Sequence, residues 1–94
     1  MTAVQVSAVR IRVTGFVHGV FFRATMAQVA SELRVNGWVQ NLADGSVEAF
    51  LEGAEEDVLK VVEWAKVGPP RARVDHVEIE QAKPRNFRGF KIEG

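Results

Sequence analysis

Cysteine is absent from the 94 residues. That excludes disulfides, zinc-thiolate sites, iron–sulfur clusters and a thiol nucleophile. Histidine is scarce: His18 and His76 are the two imidazoles, so a His-rich metal site is not expected. Neither sign of charge prevails, with twelve basic side chains against twelve acidic ones and a formal net charge of +0. A general binder of nucleic acid or of a membrane surface needs a basic excess to engage phosphates, so neither partner is expected. No apolar run approaches the ~20 residues that span a bilayer. The start of the chain, Met1-Thr2-Ala3-Val4-Gln5, has neither a basic n-region nor a long apolar stretch. No signal peptide is read there, and the cytoplasm is the expected location.

What is present suits one globular domain covering residues 1–94. Hydrophobic residues make up 47% of the chain, too many for disorder. No repeat, low-complexity tract or linker interrupts it. Val9, Ile11 and Val13 alternate with Arg10, Arg12 and Thr14, which predicts a half-buried strand. From Phe22 the period becomes helical, with Phe22, Met26, Val29, Ala30 and Leu33 on one stripe. Asn36-Gly37 offers a left-handed stop for that helix. Residues 38–42 and 46–52 read as two strands around Ala43-Asp44-Gly45. A two-residue Asp-Gly turn and a three-residue loop both fit this spacing. The three-residue loop is preferred, because it pairs Asn41 with Val47 and Val39 with Ala49. It leaves Gln40, Glu48 and Glu52 together on the other face, where Gln40 and Glu48 read as solvated.

Residues 54–67 predict a second helix, with Glu55, Glu56 and Asp57 in the first turn, where acids complement the helix dipole. Its inner stripe is Val58, Val62 and Ala65, supplemented by Leu59 and Val61, and Gly68-Pro69-Pro70 ends it. Val77 and Ile79 mark a further strand, and Phe90 and Ile92 a short last one. The 83–88 stretch, locally basic, reads as a surface loop, and Trp38 and Trp64 as packing residues. This order is the α+β, ferredoxin-like βαββαβ pattern: two helices on one face of a mostly antiparallel, four- to five-stranded sheet. In such a unit the first two strands are parallel with the third between them. Their C-terminal ends meet at one edge, which brings Asn41 towards the loop after the first strand.

That loop, Gly15-Phe16-Val17-His18-Gly19-Val20, runs into the first helix, and Arg23 follows within the opening turn. Unpaired N–H groups and the positive end of the dipole make such a place receptive to anions. Arg23 there opposes the dipole unless an anion joins it, and a guanidinium binds two phosphate oxygens at once. Asn41, taken alone, is an ordinary residue before a turn, although its amide both donates and accepts and so suits a bound water.

The two stretches together resemble the acylphosphatase family. Residues 15–23 are similar to its loop signature, G-x-V-Q-G-V-x-[FY]-R, with His18 as the departure where the family usually has glutamine. Residues 37–53 match its second signature, G-[FYW]-V-x-N-x-x-x-G-x-V followed by five residues and Gly. The likeness extends from about Val9 to Ile92 and includes the stretch 68–74. It implies a small-molecule acyl phosphate substrate, with its phosphate held by the amides of the 15–20 loop and by Arg23. Asn41 would orient the attacking water. It also implies no cofactor, no metal, no covalent intermediate and the substrate phosphate as proton acceptor. Inorganic phosphate would be product and competitive inhibitor, and a monomer is expected. At position 18 an imidazole is expected to take over a hydrogen-bonding role like glutamine's.

Other readings share the element order. An RNA-recognition module would need exposed aromatics and basic residues on its middle strands. Residues 46–52 offer one aromatic beside two acids. A non-catalytic, anion- or ligand-sensing domain of the same fold could hold an anion in the same loop, but has no need of both Arg23 and Asn41. Domains of this kind also occur inside carbamoyl-transfer enzymes; at 94 residues a free-standing enzyme is the simpler expectation.

Overall fold

The computed structural model describes residues 6–94; the expectation of no signal peptide concerns residues outside that range. Within it the elements follow as β1 (Val6–Phe16), α1 (Phe22–Glu32), β2 (Asn36–Asn41), β3 (Val47–Ala54), α2 (Glu55–Ala65), β4 (Arg73–Ala82) and β5 (Phe90–Ile92). The described strands form one sheet in the order β4-β1-β3-β2-β5. β3 is antiparallel to both β1 and β2, so those two are parallel and β3 lies between them, as the element order required. β5 adds to the outer edge of β2 in parallel.

Alternation along β1 buries Val9, Ile11 and Val13 and leaves Arg10 and Arg12 exposed. The buried side chains of β1 and β3 meet Phe22, Met26 and Ala30 of α1 and Val58, Val61, Val62 and Ala65 of α2. Phe22 packs against Trp64 with ring centroids 5.2 Å apart, joining the helices. Leu59 departs from the expected inner stripe: it is 54% exposed, because Val61 and Val62 complete the inward arc one residue later.

The β2–β3 register is the predicted one, with Asn41 opposite Val47 and Val39 opposite Ala49. Leu42 N–H donates to Ser46 O at 2.8 Å, closing a three-residue loop in which Gly45 takes φ 95°. The end of α1 differs from expectation. Leu33 caps it, and Arg34, at φ 58°, takes the left-handed position instead of the Asn36-Gly37 pair. Val35 N–H bonds to Ala30 O and Arg34 N–H to Ser31 O, the paired bonds of a Schellman stop. Gly37 has another task inside β2. Its φ is 139°, and a Cβ there would overlap the Phe50 carbonyl oxygen of β3.

The outer face of the sheet also differs. Gln40 Nε2 donates to Glu48 Oε1 at 2.9 Å, as neighbours on one face should. Glu52, on that same face, is buried, at 3% exposed. Its carboxylate accepts main-chain N–H bonds from Arg85 (2.9 Å), Asn86 (3.3 Å) and Phe87 (2.6 Å). The segment read as plain surface therefore crosses the sheet and lays Phe87 edge-on to Phe50, with centroids 5.3 Å apart. It delivers the chain to β5. β4 also starts earlier than its alternation suggests, at Arg73, because a register shift between Thr14 and Gly15 realigns its first residues.

Gly37→Ala should lower unfolding free energy by about 3 kcal/mol, from backbone overlap and left-handed strain together. Gly45→Ala, in open space, should cost about 1 kcal/mol. Urea unfolding measures both; equal losses would contradict the close approach of β2 and β3.

Candidate active site

The loop between β1 and α1 is shaped by what it buries. Val17 and Val20 are 1% and 3% exposed and pin it into the core. Gly19 and Phe21 both adopt left-handed backbone conformations, at φ 70° and φ 65°. For a bulky residue that conformation costs energy and persists only when its surroundings enforce it. Phe21 is also the N-cap of α1. It supplies no side-chain cap, and the first turn contains no acid. Thr25 Oγ1 donates to Phe21 O at 2.7 Å and fastens that turn. The contrast with α2 is direct, since three acids occupy its first turn. The start of α1 thus keeps its positive end uncompensated, and Arg23, half-buried, adds to it. Among the described residues Arg23 forms no ion pair.

Beside this turn lies a cleft of about 330 Å³ lined by Val17, Gly19, Phe21, Phe22, Arg23, Ala24, Asn41 and Ile92. It brings together Arg23 and Asn41, 18 positions apart in sequence, because β2 returns to the edge where β1 ends. Asn41 belongs to the inner face, as the register predicted. Its Oδ1 is buried and has no hydrogen-bond partner, alone in this among the side-chain atoms of the described residues. Its main chain is held firmly: Asn41 N–H donates to Gly94 O at 2.9 Å, and Glu93 N–H to Val39 O at 2.8 Å.

The remaining loop residues serve other ends. Gly15 faces β4, where a Cβ would overlap the Arg73 carbonyl oxygen. Phe16 is 56% exposed, and Val20 is in the core. His18 turns to the hairpin, its Nε2 donating to Ser46 O at 2.8 Å. Gly15, Phe16, His18 and Val20 therefore shape the loop without lining the cleft. Sequence reasoning missed Phe21, Phe22, Ala24 and Ile92. The first three lie beside Arg23 in the chain, and Ile92 could be found only by knowing that β5 pairs with β2.

The hairpin that carries Asn41 has its own tie. Asp44 Oδ1 accepts from Ser46 N at 2.9 Å and from Ser46 Oγ, and Arg12 lies 3.6 Å from Asp44 Oδ2. The bond from the Ser46 hydroxyl, then the one from its amide, hold the Asp44 carboxyl below its ordinary value, with Arg12 assisting.

The family model described as Acylphosphatase matches residues 9–92. An acylphosphatase of Thermococcus kodakarensis is 48% identical over 84 residues, covering 89% of this chain and 92% of the relative. One of Pyrobaculum calidifontis is 53% identical over 91 residues, covering 95% and 83%. Among solved structures, the acylphosphatase from Bacillus subtilis superposes with a TM-score of 0.90 at 32% identity, over 96% of this chain and all of that one.

Because the Asp44 carboxyl is depressed in the folded protein, its contribution to stability is complete above the ordinary value of 3.8 and is lost as pH falls through the lower folded value. The stability difference between the wild type and Asp44→Asn should therefore shrink below that pH, as followed by denaturant midpoints. A difference that stayed constant down to pH 2 would contradict the tie.

Proposed function

The chain belongs to the acylphosphatase family, and on that premise we propose that it hydrolyses the carboxyl-phosphate bond of acyl phosphates through the cleft between the 15–20 loop and the end of β2. The observation that carries this reading is the meeting of Arg23 and the unpartnered amide of Asn41 in one cleft. Loop amides and the dipole of α1 receive the phosphate, and the Arg23 guanidinium binds two of its oxygens. The donors gathered there, an arginine, an amide and main-chain N–H groups, match an anion rather than a cation, so the reaction is assigned no metal and no cofactor.

Asn41 takes the water. Its side chain lines the cleft, and an amide both donates to and accepts from a water held there. That contact orients the water towards phosphorus. Its oxygen forms the new P–O bond while the bond from phosphorus to the carboxylate oxygen breaks. The bonding pair leaves with the carboxylate, and the water proton passes to a phosphate oxygen. Carboxylate is a good leaving group, so positioning and neutralisation of charge supply the catalysis. Inorganic phosphate, as product, occupies the same cradle and competes with substrate.

The alternative of a non-catalytic anion sensor fits less well. A sensor needs only donors to hold an anion and has no use for a group placed to hold a water beside it. All the assigned groups lie in one chain and one domain, so a monomer suffices. No helix of the described residues is long and apolar enough to cross a membrane. The chain without cysteine fits the reducing cytoplasm, the place we assign to it.

The test is turnover of benzoyl phosphate in excess chelator. Arg23→Ala should lower kcat/KM by about 10²–10³-fold. Asn41→Ala should lower kcat by about 10²-fold with little change in KM, since the water is positioned for reaction and not for substrate binding. Wild-type turnover no faster than spontaneous hydrolysis would favour the sensor, and an effect of Asn41→Ala on KM alone would remove the water from its role.

A further inference from the structure

His18 is the residue by which this loop departs from the signature it resembles, and the structure gives its side chain one clear partner. Its Nε2 lies 2.8 Å from Ser46 O, in a half-buried position. A carbonyl oxygen can only accept, so Nε2 carries the hydrogen, and both the neutral Nε2–H tautomer and the imidazolium make the bond. The same oxygen accepts Leu42 N–H at 2.8 Å, the bond that closes the hairpin directly after Asn41. Ser46 is 2% exposed and is fixed in turn by Asp44, so the acceptor is a rigid point. On the other side, residues 17–20 make no main-chain hydrogen bond with the rest of the described chain. Val17 and Val20 anchor them through packing alone.

We propose that His18 is a positioning residue, whose bond to Ser46 O sets the distance between the phosphate loop and the strand end bearing Asn41. The inference rests on the reaction proposed above, in which phosphate sits on one side of this gap and the oriented water on the other. In-line attack needs the two aligned within a fraction of an ångström, while phosphate binding by the loop and Arg23 does not involve the hairpin. Loss of the bond therefore acts on the chemical step more than on phosphate affinity. A glutamine amide can donate to the same carbonyl, so His18→Gln should serve in its place. An asparagine, one carbon shorter, falls short.

The experiment measures kcat and KM for benzoyl phosphate, and the inhibition constant of inorganic phosphate, for His18→Ala, His18→Gln and the double variant His18→Ala/Asn41→Ala, each confirmed folded by circular dichroism. His18→Ala should lower kcat about tenfold, as small misplacements do, and leave the phosphate inhibition constant within about twofold of wild type. His18→Gln should return kcat to within about threefold of wild type. In the Asn41→Ala background the alanine at 18 should cost less than about twofold, because the two residues act as a unit. Should His18→Ala not fold, His18→Asn replaces it, with the same tenfold loss of kcat expected. An unchanged kcat, no rescue by glutamine, or a full tenfold loss in the Asn41→Ala background would each overturn the proposal. An inactive wild type would instead overturn the proposed function itself, so the two failures are distinct.

Discussion

The register of the β2–β3 hairpin is the constraint on which the site depends. Side chains alternate across a strand, so a slip of one residue would carry Asn41 from the inner face to the outer one and leave the cleft without its amide. Several features hold the register. Gly37 lets β2 approach the Phe50 carbonyl of β3, Gly45 closes the turn in a left-handed conformation, and Val39 and Val47 are fully buried on the inner face. At the far end of β3, the Glu52 carboxylate gathers the main-chain N–H groups of residues 85–87 and so guides the chain to β5. β5 then covers the edge of β2, and Gly94 O accepts the Asn41 amide hydrogen. A buried carboxylate on one face of the sheet is thus linked, through one segment of chain, to the placement of an amide on the other.

The second determinant is electrostatic. A helix start ordinarily gains a capping side chain or an acid, and α2 follows that habit with Glu55, Glu56 and Asp57. α1 has neither, begins at a left-handed Phe21 and places Arg23 next to its free amides. These local choices cost stability in the folded chain without ligand. In the proposed reaction they favour a dianion at the helix start, and Asn41 beside it holds the water. Acyl phosphate hydrolysis needs those two partners and little else, because the leaving group is already good.

Much of this was legible in the sequence, for reasons specific to each element. The alternation of Val9, Ile11 and Val13 and the stripe through Phe22, Met26 and Ala30 directly reflect burial, and the hairpin register followed from which pairings kept polar and apolar faces apart. Arg23 could be argued from its place at a helix start. Asn41 could not be argued alone; it needed the resemblance of residues 37–53 to a family signature and a topology that returns it to the loop. The end of α1 misled because Asn36-Gly37 is the better left-handed pair by propensity. Gly37, however, was required within β2, and Arg34 took the left-handed position with both Schellman bonds satisfied. The burial of Glu52 was not legible, because nothing local announces that a segment more than 30 residues later will cover it. Ile92 escaped for the same reason, since the pairing of β5 is a long-range event.

In the proposed reaction one cradle, made by the loop amides and Arg23 and faced by Asn41, receives the phosphate. Titrating the 15N-labelled protein with inorganic phosphate and following amide and side-chain resonances by NMR tests it most directly. Binding in this cradle should give saturable shifts concentrated in residues 17–23, in the Arg23 Nε–H and in the Asn41 side-chain amide, with one dissociation constant equal to the constant for inhibition of turnover. Saturable shifts centred elsewhere, with the 17–23 amides and Arg23 unmoved, would contradict it.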